Sequence, residues 1–173
     1  YFTRDLVDLT IEKVVTGAGY SAGDFAIDWS CGPGASNNGT VTLAGGASQT
    51  VQVPAGVACT VIEQAGRPDL APGYVWGDAE YTGLTGGSIS VPRDETRTVT
   101  VTNPTEIGFN RISLTKQIAN FDDQVAPGTA FTVQVTCDAP AQGESVDYSH
   151  DFTFTTPLGG ALDTPYLPIG TSC

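Results

Sequence analysis

The sequence predicts an all-β fold, and the alternation of its residues is the first observation behind this prediction. Short segments in which β-branched residues occupy every second position are bounded by clusters of Gly, Pro, Asn and Asp, as strands and their turns usually are. No segment keeps a helical period for ten residues. Because short strands at such regular spacing are typical of β-sandwiches, we expect that architecture. The predicted strands are residues 40–43, 49–53, 60–62, 98–102, 131–136 and 151–155.

An internal repeat is the second observation, and it organises the whole chain. Three anchors recur in the same order. The first is LTIEK at 9–13, which matches ISLTK at 112–116. The second is a Phe six residues before a Cys, found at 25–31 and again at 131–137. The third is the motif P-x-G-x-x-C, found at 54–59 and again at 168–173. The offset between matching positions grows from 103 to 114 residues, so the second copy carries small loop insertions. Two tandem domains that share one framework are therefore predicted.

The repeat also assigns the disulfides. Four cysteines allow three pairings, but if each copy is self-contained, Cys31 pairs with Cys59 and Cys137 pairs with Cys173. Each bond then closes a loop of roughly 30 residues, which in the chain-entropy account stabilises a domain by about 3 to 4 kcal/mol. Paired cysteines indicate an oxidising, extracellular compartment.

We expect four segments along the chain. Residues 1–8 resemble the segment before the second copy and are predicted to be a connector from a preceding unit, and residues 9–105 form one complete β-sandwich repeat. A linker at 106–111 leads to a second repeat at 112–173, which is expected to be truncated because its last strands have no counterpart after the second cysteine. Since a half-sandwich has unpaired edges, the rest is expected either in a longer chain or as a strand from a neighbouring molecule.

Composition and charge exclude several classes of function. The 173 residues carry a net charge of −12, which repels nucleic-acid phosphates and anionic lipid surfaces. No apolar run reaches the length of about 20 residues that a membrane-spanning helix needs. With one histidine and no C-x-x-C motif, the sequence offers few ligands for zinc or an iron–sulfur cluster. A single histidine also gives little basis for a Ser/His/Asp catalytic site. We therefore expect no metal, no cofactor and no enzymatic activity.

Strand alternation places three polar residues on apolar faces of the first copy. They are Lys13, Glu63 and Asn103, each of which shares its predicted face with apolar residues two and four positions earlier. Lys116 repeats the position of Lys13 in the second copy. Because burying a charge without a partner is costly, the three residues are expected to meet in the core or to lie at its rim.

The order of these motifs resembles a known family. A lysine in the first strand, CTVIE at 59–63, APGY at 71–74 and VTVTN at 99–103 are similar to the B-type domains of collagen adhesins and Gram-positive pilins. The P-x-G-x-x-C motif and KVVTG at 13–17 look closer still to a repeat family of actinobacterial surface proteins with no assigned function. The resemblance implies two tandem immunoglobulin-like (prealbumin-like) β-sandwich domains, the second truncated. One departure is the disulfide, which adhesin domains of this type usually lack.

The resemblance also implies an isopeptide bond between the side chains of Lys13 and Asn103, with Glu63 as its promoter. Burial favours the uncharged forms of lysine and glutamate. A neutral Lys13 would then attack the side-chain carbonyl of Asn103, while Glu63 polarises that carbonyl and shuttles protons as ammonia leaves. The alternative is a lysine that reaches the rim and forms a salt bridge with Glu63, with Asn103 merely ending a strand before Pro104.

Two functions follow as expectations. The first is a structural spacer or stalk repeat of an extracellular adhesin, pilus or surface fibre, whose partners are neighbouring repeats of the same array or polymer. The alternative is a module that binds a host protein or glycan through its loops, notably the insertion between Asp138 and His150. Both place the chain outside the cell, secreted or at the cell wall, without a nucleic-acid partner and without membrane insertion.

Overall fold

The computed structural model describes residues 5–34, 37–118, 125–138 and 148–173. These residues form strands and no α-helix, which confirms the predicted all-β fold. The chain divides into two compact units, Tyr1–Glu106 and Ile107–Cys173, called unit 1 and unit 2 below. All six segments predicted as strands lie inside observed strands.

The strands of unit 1 are β1 (Leu6–Thr16), β2 (Asp24–Ser30), β3 (Asn38–Ala44), β4 (Ser48–Pro54), β5 (Ala58–Glu63), β6 (Tyr74–Trp76), β7 (Glu80–Thr82), β8 (Ile89–Ser90) and β9 (Thr96–Ile107). They form two sheets. One has the order β4-β1-β9-β6, with β7 also paired to β9, and the other has the order β3-β2-β5-β8. Inward residues of both sheets share a single hydrophobic core, so unit 1 is a β-sandwich.

The first and last long strands of unit 1 are neighbours. β1 pairs antiparallel with β4 on one side and parallel with β9 on the other, with Lys13 opposite Val101 and Val15 opposite Asn103. Alternate residues of β1 are buried, which fixes the register because a shift by one position would turn the polar residues inward. Two strands from opposite ends of unit 1 therefore lie side by side at the centre of one sheet.

The strands extend past the predicted domain boundaries. β1 begins at Leu6, inside the predicted connector 1–8, because Leu6 already pairs with Pro54 of β4. β9 continues to Ile107, and β10 occupies Phe109–Asn110, so strand residues also fill much of the predicted linker 106–111. The start of β1 and the end of β9 are set by pairing with neighbouring strands. The alternation of residues in the sequence does not reveal this pairing.

Unit 2 contains β10 (Phe109–Asn110), β11 (Ser113–Leu114), β12 (Ala130–Cys137), β13 (Tyr148–Thr155), β14 (Leu162–Asp163) and β15 (Leu167–Pro168). In the described residues these form three two-stranded antiparallel pairs, β10 with β15, β11 with β14 and β12 with β13. Among the described residues of unit 2, the buried apolar side chains include Phe152, Phe154, Leu167, Pro168 and Cys137. Nowhere in the described parts of the chain is there a helix long and apolar enough to cross a membrane.

Candidate cross-link site

Lys13 is completely buried in unit 1. It lies on the face of β1 that also carries Leu9, and its side chain is 0% exposed. The side-chain nitrogen Nζ lies 3.1 Å from Glu63 Oε2 and donates a hydrogen bond to the carbonyl oxygen of Val101 at 3.1 Å. Nζ also lies 4.4 Å from the centroid of the Phe25 ring, so an aromatic face covers it.

The buried position changes the acidity of this lysine. Desolvation lowers the pKa of Lys13 from the usual 10.5, and it outweighs the hydrogen bond and the negative charge of Glu63, which act in the opposite direction. The positive charge of Arg67 lowers the same pKa further. The shift favours the neutral amine, the form in which a lysine acts as a nucleophile.

Glu63 reaches Lys13 from the opposite sheet. It is the last residue of β5, its side chain is 2% exposed, and its backbone N–H donates to the hydroxyl of Tyr81 at 2.9 Å. While Oε2 faces Lys13, Oε1 accepts a hydrogen bond from Asn103 Nδ2 at 2.7 Å. One carboxylate thus contacts both of the groups that an isopeptide bond would join.

Asn103 lies on β9 and is fully buried. It is two positions beyond Val101, which is opposite Lys13, and residues two apart in a strand share a face. The following Pro104 favours an extended backbone at Asn103, and β9 continues to Ile107. Within the described structure, Asn103 Oδ1 is buried without a hydrogen-bond partner, which is costly for a carbonyl oxygen.

Arg67 is a member of the site that the sequence analysis missed. Its Nε lies 2.9 Å from Glu63 Oε1, and its Nη1 donates to the carbonyl oxygen of Gly77 at 2.8 Å. The Glu63 carboxylate therefore contacts two basic side chains, Lys13 and Arg67. A signal was available in the sequence, because Arg67 is four residues after Glu63 in a chain with only seven Lys and Arg residues.

An aromatic cluster closes the site on the Phe25 side. The ring centroids of Tyr20, Phe25 and Trp76 lie 5.5 to 6.0 Å from one another. The indole N–H of Trp76 donates to the carbonyl oxygen of Pro68 at 2.8 Å, which satisfies its polar atom. Because the Phe25 ring lies against Lys13 Nζ, this cluster contributes to the desolvation of the amine.

The structure brings all three predicted residues together, with three differences from the sequence-based interpretation. Lys13 Nζ does contact the Glu63 carboxyl group, as in the alternative, but in the interior rather than at the rim. Asn103 does not end a strand. The predicted role of Glu63 was to polarise the Asn103 carbonyl, whereas in the structure its carboxylate accepts from the amide nitrogen.

Both disulfides form between the cysteines that the repeat pairs. Cys31 is bonded to Cys59, 28 residues apart, and Cys137 is bonded to Cys173, 36 residues apart. No group of three potential metal ligands occurs among the described residues. The insertion between Asp138 and His150, proposed above as a binding loop, lies largely outside the described residues.

Sequence comparison assigns the chain to a family. Residues 9–106 and 112–173 each match the family described as domain of unknown function (DUF5979). The chain therefore belongs to this family and contains two copies of its domain. A comparison with curated proteins found no match.

One solved structure is similar to part of the chain. It is a bacterial adhesin from Mobiluncus mulieris containing intramolecular disulfide, isopeptide and ester bond cross-links. The identity is 21%, the TM-score is 0.36, and the similarity covers 57% of this chain and 41% of the adhesin chain. The chain thus spans less than half the length of that protein, and the interpretation of the Lys13 site rests on its own geometry.

Proposed function

We propose that this chain is a structural module of an extracellular adhesin, pilus or surface fibre, in which unit 1 is locked by a Lys13–Asn103 isopeptide bond in addition to its disulfide. The observation that carries the proposal is the Glu63 carboxylate, which contacts both Lys13 Nζ and Asn103 Nδ2 in a site closed to solvent. Lysine is rarely fully buried, because an unpaired buried charge is costly. A role in forming the isopeptide bond accounts for the burial of this cluster.

The chemistry is a single amide exchange within the chain. The neutral Nζ of Lys13 attacks Cγ of Asn103, a new C–N bond forms, and the bond from Cγ to Nδ2 breaks. Glu63 accepts a proton from Nζ on the side of Oε2, and a proton is delivered to Nδ2, which leaves as ammonia. The product is a side-chain amide and one ammonia, so atoms and charge balance without a cofactor.

The position of the two residues explains why such a bond suits a load-bearing module. β1 and β9 are parallel neighbours, and pulling the start of β1 away from the end of β9 shears the ladder between them. A bond from Lys13 to Asn103 carries that force from one strand directly to the other. The strands between β1 and β9 along the chain then stay folded under tension.

Intact mass measurement of the reduced chain tests the proposal. The chain is expected to be lighter than its sequence mass by one ammonia, and Glu63→Gln is expected to keep the full mass because a glutamine cannot shuttle protons. Glu12→Gln is the matched control, since Glu12 also contacts β9, through Thr100 Oγ1 at 2.9 Å, but lies on the other face of β1. An unmodified wild type, or equal mass loss in Glu63→Gln, contradicts the proposal.

The same proposal places the chain outside the cell, with neighbouring repeats of the same array as its partners. An oxidising compartment suits the two disulfides, and two copies of one domain in a single chain suit an array whose partners are neighbouring repeats. A glycan array or a pull-down with this chain separates the spacer role from the alternative of a binding module. The spacer role requires inert behaviour, and saturable binding to a host protein or glycan contradicts it.

A further inference from the structure

Arg67 links Glu63 to a segment that is tied to β9. Its Nε donates to Glu63 Oε1 at 2.9 Å, and its Nη1 donates to the carbonyl oxygen of Gly77 at 2.8 Å. The backbone N–H of Gly77 in turn donates to the carbonyl oxygen of Pro104 at 2.9 Å. Since Pro104 directly follows Asn103, this full set of contacts forms only when β9, and Asn103 with it, is in place.

The segment around Gly77 lies very close to β9. A Cβ atom at this residue would lie 2.9 Å from Pro104 Cγ and 3.1 Å from Glu106 Oε1. The first distance is too short for a Cβ atom, so a larger residue would move the segment away from the strand. The carbonyl oxygen that holds Arg67 is therefore placed by β9.

The charges of this cluster balance when Lys13 is neutral. Glu63 as a carboxylate and Arg67 as a guanidinium carry opposite charges, and an ammonium on Lys13 adds a second positive charge. The side chains of Lys13 and Glu63 are 0% and 2% exposed, and an uncompensated charge is costly in such a place. Because a guanidinium does not lose its proton in proteins, Arg67 is a permanent counter-ion for Glu63.

Two charged groups act on the amine of Lys13. Desolvation is the largest cause of its lowered pKa, Glu63 opposes this shift through its hydrogen bond and its charge, and Arg67 adds to it. In the described part of the chain, the other elements packed against the site contribute the ring of Phe25 from β2, the hydroxyl of Tyr81 from β7 and, beside Gly77, the exposed carboxylate of Glu106 from β9. Arg67 is therefore the positive charge that disfavours protonation of Lys13.

We propose that Arg67 activates Lys13 for bond formation, because it takes over as the counter-ion of Glu63 once β9 has docked and so releases Lys13 as the neutral amine. The proton of the ammonium goes to water before the amide exchange begins. The inference rests on the proposed isopeptide bond and names the residue that controls when it forms. Arg67 acts through Glu63, so it is a positioning residue.

The rate of ammonia loss at different pH values tests this role. The full 173-residue chain is assembled by chemical ligation in denaturant, so that it starts unreacted, and its intact mass is followed after dilution into buffers of rising pH. Arg67→Met is expected to need a higher pH for its half-maximal rate, since Lys13 then keeps its proton longer. At the pH where the wild type reaches half its maximal rate, the variant is expected to react about fivefold more slowly.

Three further variants separate the charge of Arg67 from its packing. Arg67→Lys keeps the positive charge and is expected to restore the wild-type pH profile. Arg67→Gln can still donate a hydrogen bond but carries no charge, and it is expected to shift the profile as Arg67→Met does. Arg97→Met, at a half-exposed arginine of unit 1, is the matched control and is expected to leave the profile unchanged. A slower rate at every pH with an unchanged midpoint in all three Arg67 variants would overturn the proposal.

NMR titration of Lys13 distinguishes this inference from the isopeptide bond itself. In Asn103→Ala no bond can form, and adding Arg67→Met is expected to raise the pKa of Lys13. Backbone amide shifts of β2 and β3 show that unit 1 is folded in both variants. A wild type that loses no ammonia contradicts the proposed function, whereas an unchanged pKa of Lys13 contradicts the role of Arg67.

Discussion

The lowered pKa of Lys13 is expected to make stability depend on pH when the isopeptide bond is absent. In Asn103→Ala the isopeptide bond cannot form, so Lys13 remains a free amine whose pKa is lowered by burial. The unfolded chain then binds the lysine proton up to the usual pKa of 10.5, while the folded chain loses it at lower pH. The free energy of unfolding therefore rises with pH in the interval that ends at 10.5.

Urea unfolding at several pH values measures this dependence. The double variant Lys13→Met/Asn103→Ala is the control, because it removes the titrating group and leaves the other ionisable residues in place. The difference in unfolding free energy between the two variants is expected to change in favour of the lysine form as the pH rises. A difference that is constant or changes in the other direction contradicts the assigned pKa shift.

Arg67 is expected to stabilise unit 1 through its contact with the buried Glu63 carboxylate. In Arg67→Met, the buried Glu63 carboxylate loses one hydrogen-bonded cation, and the expected loss of stability is about 1 to 3 kcal/mol. Arg97→Met is the control, because Arg97 and its partner Glu95 are both about half exposed and the change is expected to stay within about 0.5 kcal/mol. Equal losses of stability for the two substitutions in urea unfolding would contradict a stabilising contact between Arg67 and Glu63.

Strand alternation was enough to predict that Lys13, Glu63 and Asn103 point inward. It could not reveal Arg67, because this residue lies after β5 in a segment without regular periodicity. The direction of the Asn103 amide was also unpredictable, since it depends on which of its atoms faces the carboxylate. The position of Arg67 and the direction of the Asn103 amide both depend on how the folded chain is arranged around Glu63.

The inward-facing side chains of β9 are expected to be essential for the stability of unit 1. Val99 is fully buried and Thr98, its neighbour on the opposite face, is exposed. Val99→Asp is expected to destabilise unit 1 by about 4 kcal/mol or more, because an unpaired charge enters the core. Thr98→Asp is expected to change stability by about 0.5 kcal/mol at most.

Tryptophan fluorescence measures this effect in unit 1 alone. Both tryptophans of the chain, Trp29 and Trp76, lie in β2 and β6 of that unit. Similar unfolding midpoints for the two variants would mean that β9 is not the inner strand of the sheet that the structure describes.

The six predicted segments were found in long strands because apolar or β-branched residues alternate with polar ones there, whereas the long strand β2 was not among them. The short strands β6, β7 and β8 were not predicted, since two or three residues carry no readable period. The parallel pairing of β1 with β9 was also hidden, because it joins residues that are far apart in the sequence. This pairing brings the inward-facing side chains of Lys13 and Asn103 close together.

For the whole molecule, unit 1 is expected to keep its fold after its disulfide is reduced. The isopeptide bond closes a loop that contains nearly all of unit 1, whereas Cys31–Cys59 closes a loop of 28 residues. Treatment with a reductant and then with a protease is therefore expected to spare unit 1 in the wild type. The same treatment is expected to digest it several times faster in Asn103→Ala, and equal digestion rates would contradict a second covalent lock.

Peptide mapping of the reduced and alkylated chain detects the Lys13–Asn103 bond itself. Trypsin does not cleave after an acylated lysine or between Arg67 and Pro68, so a bond from Lys13 to Asn103 is expected to give one branched peptide that joins residues 5–93 to 98–111. Its mass is the sum of the two segments less one ammonia. Recovery of residues 5–13, 14–93 and 98–111 as three separate linear peptides would show that Lys13 and Asn103 are not joined.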